Sequence, residues 1–158
     1  MTIEEFIALP CEFNGFIDSY LSNGEIHLEC TKKSHADPIK KWVPAYHFDI
    51  MKDKEKVGII DLRIGYTKGL YYGGNIGYTV EEAHRDNGYA TEACKLIAPV
   101  AKAHKMRVLL ISNDVLNIAS RRVCEKLDAQ HLERVALPEW TDLYKEGQRF
   151  SNIFAWHI

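Results

Sequence analysis

Apolar and polar residues alternate along three successive segments in the middle of the chain. In Ala45–Met51, Tyr46, Phe48 and Ile50 fall on one face and His47 and Asp49 on the other. Val57–Gly65 and Ile76–Val80 continue the same two-residue period. The connections between them are short, a charged turn at Lys52–Glu55 and a Gly-rich turn at Gly69–Gly74. They leave no room for crossover helices, so the three segments predict an antiparallel meander. Ile26–Cys30 is a further strand ahead of it. Thr31–Pro44 reads as a polar connection in which Asp37–Trp42 makes one helical turn.

The period changes after Gly88. Ala90, Ala93, Cys94, Ile97 and Ala101 recur at helical spacing up to His104, with Pro99 expected to kink or divide the helix near Ala98. Val108–Ile111 is apolar throughout, as in a central strand covered on both faces. A second helix follows over Asn117–Leu127, then strands at Glu133–Leu137 and Ser151–His157. Pro138–Arg149 is an excursion between these strands, packed down by Trp140, Leu143 and Tyr144. At the other end, Thr2 and Glu5 form a capping box for a short helix over residues 2–8, which Pro10 ends. Phe16–Leu21 is open between a strand and a helical turn. The pattern as a whole is α+β (mixed α/β), a largely antiparallel sheet covered by helices.

Composition narrows this further. A chain of 158 residues without a compositional break is expected to be one domain, residues 1–158. With 20 basic and 22 acidic residues, the net charge of −2 gives no general attraction to nucleic acid. Four cysteines without a CxxC pair make neither a zinc pattern nor a disulfide framework, and no metal is expected. The N-terminus is acidic where a secretion signal is basic, and no apolar run approaches the length of a membrane span. A cytoplasmic protein without membrane contact is the simplest reading.

Candidate chemistry lies where the last meander strand meets the first long helix. Arg85-Asp86-Asn87-Gly88-Tyr89-Ala90 is a glycine-containing loop running into a helix. Unpaired N–H groups at the positive end of a helix dipole make such a loop a site for phosphate or another anion. Many strand–loop–helix junctions, however, hold glycine only to turn the chain.

Two motifs in order carry a resemblance. Arg85–Ala90 resembles motif A of the GCN5-related N-acetyltransferase (GNAT) superfamily: Gln or Arg, any two residues, Gly, any one, then Gly or Ala. Asn117–Leu127 resembles its motif B, in the form found in the ribosomal-protein N-terminal acetyltransferases. The resemblance covers residues 45–137 well. It implies a GNAT-like acyl-CoA N-acyltransferase fold, with a sheet that splays open after Ile76–Val80 and holds acetyl-CoA in the opening. Tyr78, Thr79 and Val80 would offer backbone groups to the pantetheine arm. The N–H groups of Arg85, Asp86, Asn87, Gly88, Tyr89, Ala90 and Thr91 would hold the pyrophosphate. Asn117 and Ser120 would face the thiol end. On residue chemistry alone, Asn117 is also a good helix cap, Ser120 can back-bond to its helix, and Tyr89 suits packing.

The implied activity is transfer of the acetyl group to a primary amine by direct attack, so the expected partners are acetyl-CoA and an amine-bearing acceptor. A homodimer is left open. Two positions depart from the family. Its frequent general acid, a Tyr in motif B, is matched by Cys124, and a Glu used as base is matched by Ser112. No catalytic residue is therefore assigned; Asp61, His47, Glu81, Asp114, Tyr78 and Tyr144 are the available substitutes. The departures also keep alive a non-catalytic acyl-CoA-binding or regulatory protein, and an enzyme for longer acyl groups. The short Thr31–Pro44 connection lacks the two helices that usually wall the acceptor site. Either the N-terminal 24 residues supply that wall or the acceptor cleft is unusually open.

Overall fold

The computed structural model describes residues 1–158 and contains one eight-stranded sheet. In chain order the elements are α1 (Ile3–Ile7), β1 (Leu21–Ser22), β2 (His27–Ser34), β3 (Ala45–Lys52), β4 (Glu55–Arg63), α2 (Lys68–Gly73), β5 (Ile76–Val80) and α3 (Tyr89–Ala103). They continue with β6 (Val108–Asp114), α4 (Ile118–Lys126), β7 (Gln130–Ala136), α5 (Asp142–Lys145) and β8 (Phe150–His157). A 3-10 turn at Glu82–His84 links β5 to the loop before α3. The strand order is β1-β2-β3-β4-β5-β6-β8-β7. Every neighbouring pair is antiparallel except β5 and β6. The mixed sheet with flanking helices is therefore the fold anticipated from the pattern.

The β5–β6 pair is joined at a single register position, Ile76 opposite Ile111. Beyond it the strands part. Asn75 anchors the root of the split: its Oδ1 accepts from Leu110 N–H at 2.9 Å, and its Nδ2 donates to the Gly65 carbonyl at 2.8 Å. It is fully buried. Without those bonds a buried amide and a half-buried carbonyl would lack partners, so the side chain is an integral part of the sheet.

The alternation in β3, β4 and β5 sorts side chains as the sequence indicates. Phe48, Ile50, Ile60, Leu62 and Ile76 enter a core of 32 buried residues together with α3 side chains such as Ile97 and Ala101. Phe48 and Val100 border the same small cleft, which places α3 on this face. Residues 12–17 pack there too: Phe16 meets Tyr46, Phe13 stacks on His104, and Ile17 N–H donates to Tyr46 Oη at 2.8 Å. The opposite face, carrying His47, Asp61 and Ile59, is not covered by this segment, and Ile59 is exposed.

Several local expectations are corrected. Residues 69–74 are not a Gly-rich turn. They belong to α2, because Thr67 accepts from Leu70 N–H as an N-cap and Tyr71 is buried; Gly74 at φ +84° then ends the helix. Residues 31–34 belong to β2, which continues past a bulge between Cys30 and Lys32. Asp37–Trp42 is a closed turn, not a helical one. Its backbone ends are hydrogen-bonded to each other, and Asp37 Oδ1 accepts from the N–H groups of Ile39 and Lys40. Pro99 does not divide α3. Its ring removes one internal hydrogen bond, while burial of Ala98, Val100 and Ala101 beside it holds the segment helical. Strand β7 begins at Gln130, and the Phe16–Leu21 segment is neither of the two alternatives: residues 16–20 are irregular and only Leu21 enters the two-residue strand β1.

Candidate functional site

A cavity of about 410 Å³ lies beside β5 beyond the point where it parts from β6, lined by β5, the loop before α3, the first turn of α3 and α4. All twelve residues singled out in the sequence for cofactor contact line it: Tyr78, Thr79 and Val80 on β5, Arg85 to Thr91 on the loop and α3, and Asn117 and Ser120 on α4. Their roles at the cavity differ.

Along β4 and β5, Glu81 N–H donates to Val57 O and Arg63 N–H to Asn75 O. This register turns the backbone groups of Gly77 and Thr79 toward β4. Those of Tyr78 and Val80 consequently face the opening. An extended ligand could pair with them as another strand would. Arg85 Nε already donates to the Val80 carbonyl at 3.2 Å, so the guanidinium folds back on the strand.

The loop is shaped by two residues in the left-handed region, Asp86 at φ +68° and Gly88 at φ +76°. Gly88 is the N-cap of α3 and offers no side-chain cap. The first helical bond is Glu92 N–H to Gly88 O, so the N–H groups of Tyr89, Ala90 and Thr91 have no intrahelical partner. They form the positive end of a four-turn helix beside a cavity. Thr91 Oγ1 adds a buried hydroxyl without a hydrogen-bond partner. Asn87 serves the loop instead, donating from Nδ2 to the His84 and Arg85 carbonyls. Tyr89 is buried under Lys52, a packing role.

Asn117 caps α4, accepting from Ser120 N–H at 3.0 Å. Ser120 does not back-bond to its helix. Its Oγ meets the Tyr78 hydroxyl at 2.9 Å and Asn113 Nδ2 at 3.2 Å. Asn113 Nδ2 also reaches Cys124 Sγ at 3.4 Å. Burial, reinforced by the neighbouring Cys124, pushes the Tyr78 phenol far above its ordinary range, and burial pushes the Cys124 thiol up to about 11. Both hold their protons at neutral pH. Space beside residue 124 is thus filled by a phenol arriving from β5.

The lining contains basic residues that the motifs did not single out. Arg122 and Lys126 on α4, with His84 before the loop, border the same cavity. Arg122 and Lys126 lie four residues apart, a helical spacing that puts both on one face of α4. That spacing was the available signal. A cationic wall opposite a helix N-terminus suits a polyanion.

The substitutes for the missing acid and base separate cleanly. Glu81 is the N-cap of the 3-10 turn, Asp114 Oδ1 accepts from Leu116 N–H, and Tyr144 lies under Arg149 with the guanidinium 3.8 Å from its ring. Asp114 and Tyr144 are thereby accounted for by local structure, whereas the exposed Glu81 side chain makes no cap hydrogen bond. Tyr78 reaches the cavity. His47 and Asp61 pair with each other on the uncovered face, 2.9 Å apart. No cluster of three or more metal-ligating side chains is present, and no helix is long and apolar enough to cross a membrane.

Residues 19–130 match the family model described as the acetyltransferase (GNAT) domain. Comparison with curated proteins by sequence gives no significant match. Among solved structures, the chain is similar to an acetyltransferase from Salmonella typhimurium that modifies the N-terminal serine of ribosomal protein L7/L12. The identity is 14%, with 89% of this chain and 99% of that one covered and a TM-score of 0.65. The microcin C7 self-immunity acetyltransferase MccE, in complex with acetyl-CoA and AMP, is 19% identical, with a TM-score of 0.56. There 72% of this chain is matched, but it spans only 61% of the MccE chain. RimJ from Mycobacterium smegmatis, in complex with a CoA disulfide, matches over 70% of this chain and 52% of its own, at 19% identity and a TM-score of 0.56. At such identities the likeness is one of fold.

Proposed function

The chain belongs to the GNAT acetyltransferase family, and we propose that it is an N-acetyltransferase moving the acetyl group of acetyl-CoA to a primary amine of a peptide or protein. The observation that carries the reading is the convergence of both motifs on one cavity: an uncapped helix end and a cationic α4 wall at its mouth, and free strand edge along its length.

The chain's own groups divide the work. The N–H groups of Gly88 to Thr91 would hold the pyrophosphate, with Arg122 and Lys126 meeting the remaining phosphate charge. Tyr78 and Val80 would pair with the pantetheine amides. Close approach suits this loop because Gly88 carries no side chain and Ala90 only a methyl group. The thioester would then lie beyond Tyr78, near the root of the split. Positioning alone supplies much of the rate in such a bimolecular step. The N–H of Tyr78, which faces the opening nearer that root, would meet the oxyanion of the tetrahedral intermediate. The Tyr78 hydroxyl, steadied by Ser120, would protonate the leaving thiolate. It would take over what a motif B tyrosine does elsewhere in the family, from β5 instead of α4.

The uncovered face of β3–β5 supports the acceptor class. Residues 35–44 form no helix, and residues 12–17 pack on the other side of the sheet. A bulky acceptor can therefore approach. This is consistent with fold relatives acting on a ribosomal protein N-terminus, as the Salmonella enzyme does. The departures at Cys124 and Ser112 favour a second reading, a non-catalytic acyl-CoA-binding protein.

Calorimetry with acetyl-CoA and a thiol-release assay over peptide N-termini, lysine peptides, polyamines and amino acids test both. Binding with turnover on an amine is the expected result. Binding without turnover on any acceptor supports the second reading, and absence of binding removes both.

A further inference from the structure

On the face of the sheet turned away from α3, one cation stands at the root of the split. Gly77 follows Ile76, the β5 residue paired with β6, and precedes Tyr78, which lines the cavity. Side-chain alternation directs position 77 to the other face. A β-carbon there would stand 2.9 Å from the Arg63 guanidinium, so glycine is what gives that group its place. The strand backbone at 77 and 78 thus has the cofactor cavity on one side and Arg63 on the other. Arg63 covers the side from which an acceptor would come.

The protein answers this charge incompletely. Nη1 donates to the Gly74 carbonyl at 3.1 Å and more weakly to that of Gly73 at 3.4 Å, at the end of α2. Nη2 lies 4.0 Å from Asp61, beyond hydrogen-bond reach. Asp61 is committed elsewhere: its Oδ1 meets His47 Nδ1 at 2.9 Å, and the other ring nitrogen meets Ser34 Oγ at 2.8 Å. The N–H groups of Arg63 Nε and Nη2 are left without a protein acceptor, on a side chain 31% exposed. Burial holds the Arg63 pKa below its ordinary value, and Asp61 opposes this only in part. A second polar group shares the face. Ser112 Oγ is buried with no partner. Gly74 lies between the two: its carbonyl takes Arg63, and a β-carbon on it would stand 3.0 Å from Ser112 N.

We propose that Arg63, assisted by Ser112, forms a carboxylate subsite at the reacting end of the active centre. The inference rests on the acetyltransferase reading and adds a charge requirement to it. The Nε–Nη2 edge of a guanidinium fits a carboxylate in two parallel hydrogen bonds, and this is the edge that Arg63 leaves open. Two sources bring a carboxylate to that place. One is an acceptor peptide beginning with Asp or Glu, whose first side chain lies a few bonds from the reacting amine. The other is a dicarboxylic acyl group such as succinyl, whose far end extends past the thioester carbon. Either carboxylate offsets a cation that otherwise repels an incoming ammonium group.

The test uses the full chain and two matched pairs that differ in one charge. The acceptor pair is two peptides beginning with Asp and with Asn, with acetyl-CoA as donor. The donor pair is succinyl-CoA and butyryl-CoA, with an amine that the wild type accepts. In the wild type, kcat/KM is expected to favour the charged member of at least one pair about 30-fold. R63Q should reduce that preference to under about threefold, and R63K, which keeps the charge without the fork, should fall between. Acetyl-CoA affinity should stay within a few-fold in both variants. A ratio taken within one protein cancels any general loss from the broken ties to Gly73 and Gly74. Preference in the peptide pair puts the carboxylate on the acceptor, and preference in the donor pair puts it on the acyl group. No preference in either pair overturns the proposal, as does a preference that survives in R63Q. A loss in R63Q shared equally by both members also overturns it and reduces Arg63 to a tie between β4 and α2. A wild type that binds acetyl-CoA but acylates no amine refutes the acetyltransferase reading itself. The affinities of succinyl-CoA and butyryl-CoA, compared by calorimetry, then still read the subsite.

Discussion

The Tyr78 hydroxyl on β5 lies 2.9 Å from Ser120 Oγ on α4, joining the two walls of the split sheet across the candidate cavity. Tyr78 also lies next to Cys124, at the position where motif B usually supplies an acid. A tyrosine at 124 and a tyrosine at 78 would compete for one volume. This chain keeps the second.

Tyr78→Phe is accordingly expected to lower kcat about 100-fold, the ordinary worth of a positioned proton donor. Loss of one hydrogen bond should cost only about 1 kcal/mol of stability. Acetyl-CoA affinity measured by calorimetry should remain within a few-fold. Undiminished turnover would take the phenol out of the proton path.

Gly88→Val addresses the loop. Nothing lies within 4 Å of a β-carbon at Gly88, so no protein contact is lost. At φ +76° a branched side chain is strained by about 2 kcal/mol, and it would stand where a phosphate approaches the helix end. Acetyl-CoA binding should weaken at least about tenfold. Unchanged binding would place the pyrophosphate elsewhere.

Asn75→Ala addresses the root of the split. It would orphan the Leu110 N–H and the Gly65 carbonyl, both held by the buried amide. The expected loss is about 3 kcal/mol, read as a lower Tm or denaturant midpoint. A loss under about 0.5 kcal/mol would mean that water replaces the side chain.

His104 predicts a pH dependence. Its ring is buried, with Tyr46 Oη at 2.7 Å from Nε2 and the Glu12 carbonyl at 3.1 Å from Nδ1. Burial lowers its pKa below the ordinary value, with the bond to Glu12 opposing in part. The unfolded chain therefore binds the proton more tightly. The stability is fully present above the unfolded value, about 6.5, and is lost as pH falls through that value toward the folded pKa. Thermal melts between about pH 7 and 5 should show a fall in Tm that is smaller in His104→Gln, measured from that variant's own neutral-pH Tm. Equal slopes would assign the effect to other groups.

Much of this molecule was legible from local pattern. Two-residue alternation in β3, β4 and β5 sorted Tyr46, Phe48 and Ile50 from His47 and Asp49, because a pleated strand has no other way to direct its side chains. The loop before α3 was legible since an uncapped helix end and a left-handed glycine are local properties. Where α2 was missed, a threonine cap and a buried tyrosine outweighed the helix-weakening glycines Gly69 and Gly73. Where Pro99 was expected to divide α3, tertiary burial outweighed a local defect.

The cationic pair Arg122 and Lys126 was visible only as helical spacing, since sequence does not say which way α4 faces. The sequence by itself determined the mixed α+β class, the meander, the glycine-containing loop at the start of α3 and the absence of the usual residues at 112 and 124. Only the tertiary structure decided what stands beside those positions. Tyr78 and Ser120 are 42 residues apart, and Ser34, His47 and Asp61 sit on three strands. Their meeting depends on register and on the parting of β5 from β6, and register is set by the sum of long-range pairings that no local window contains.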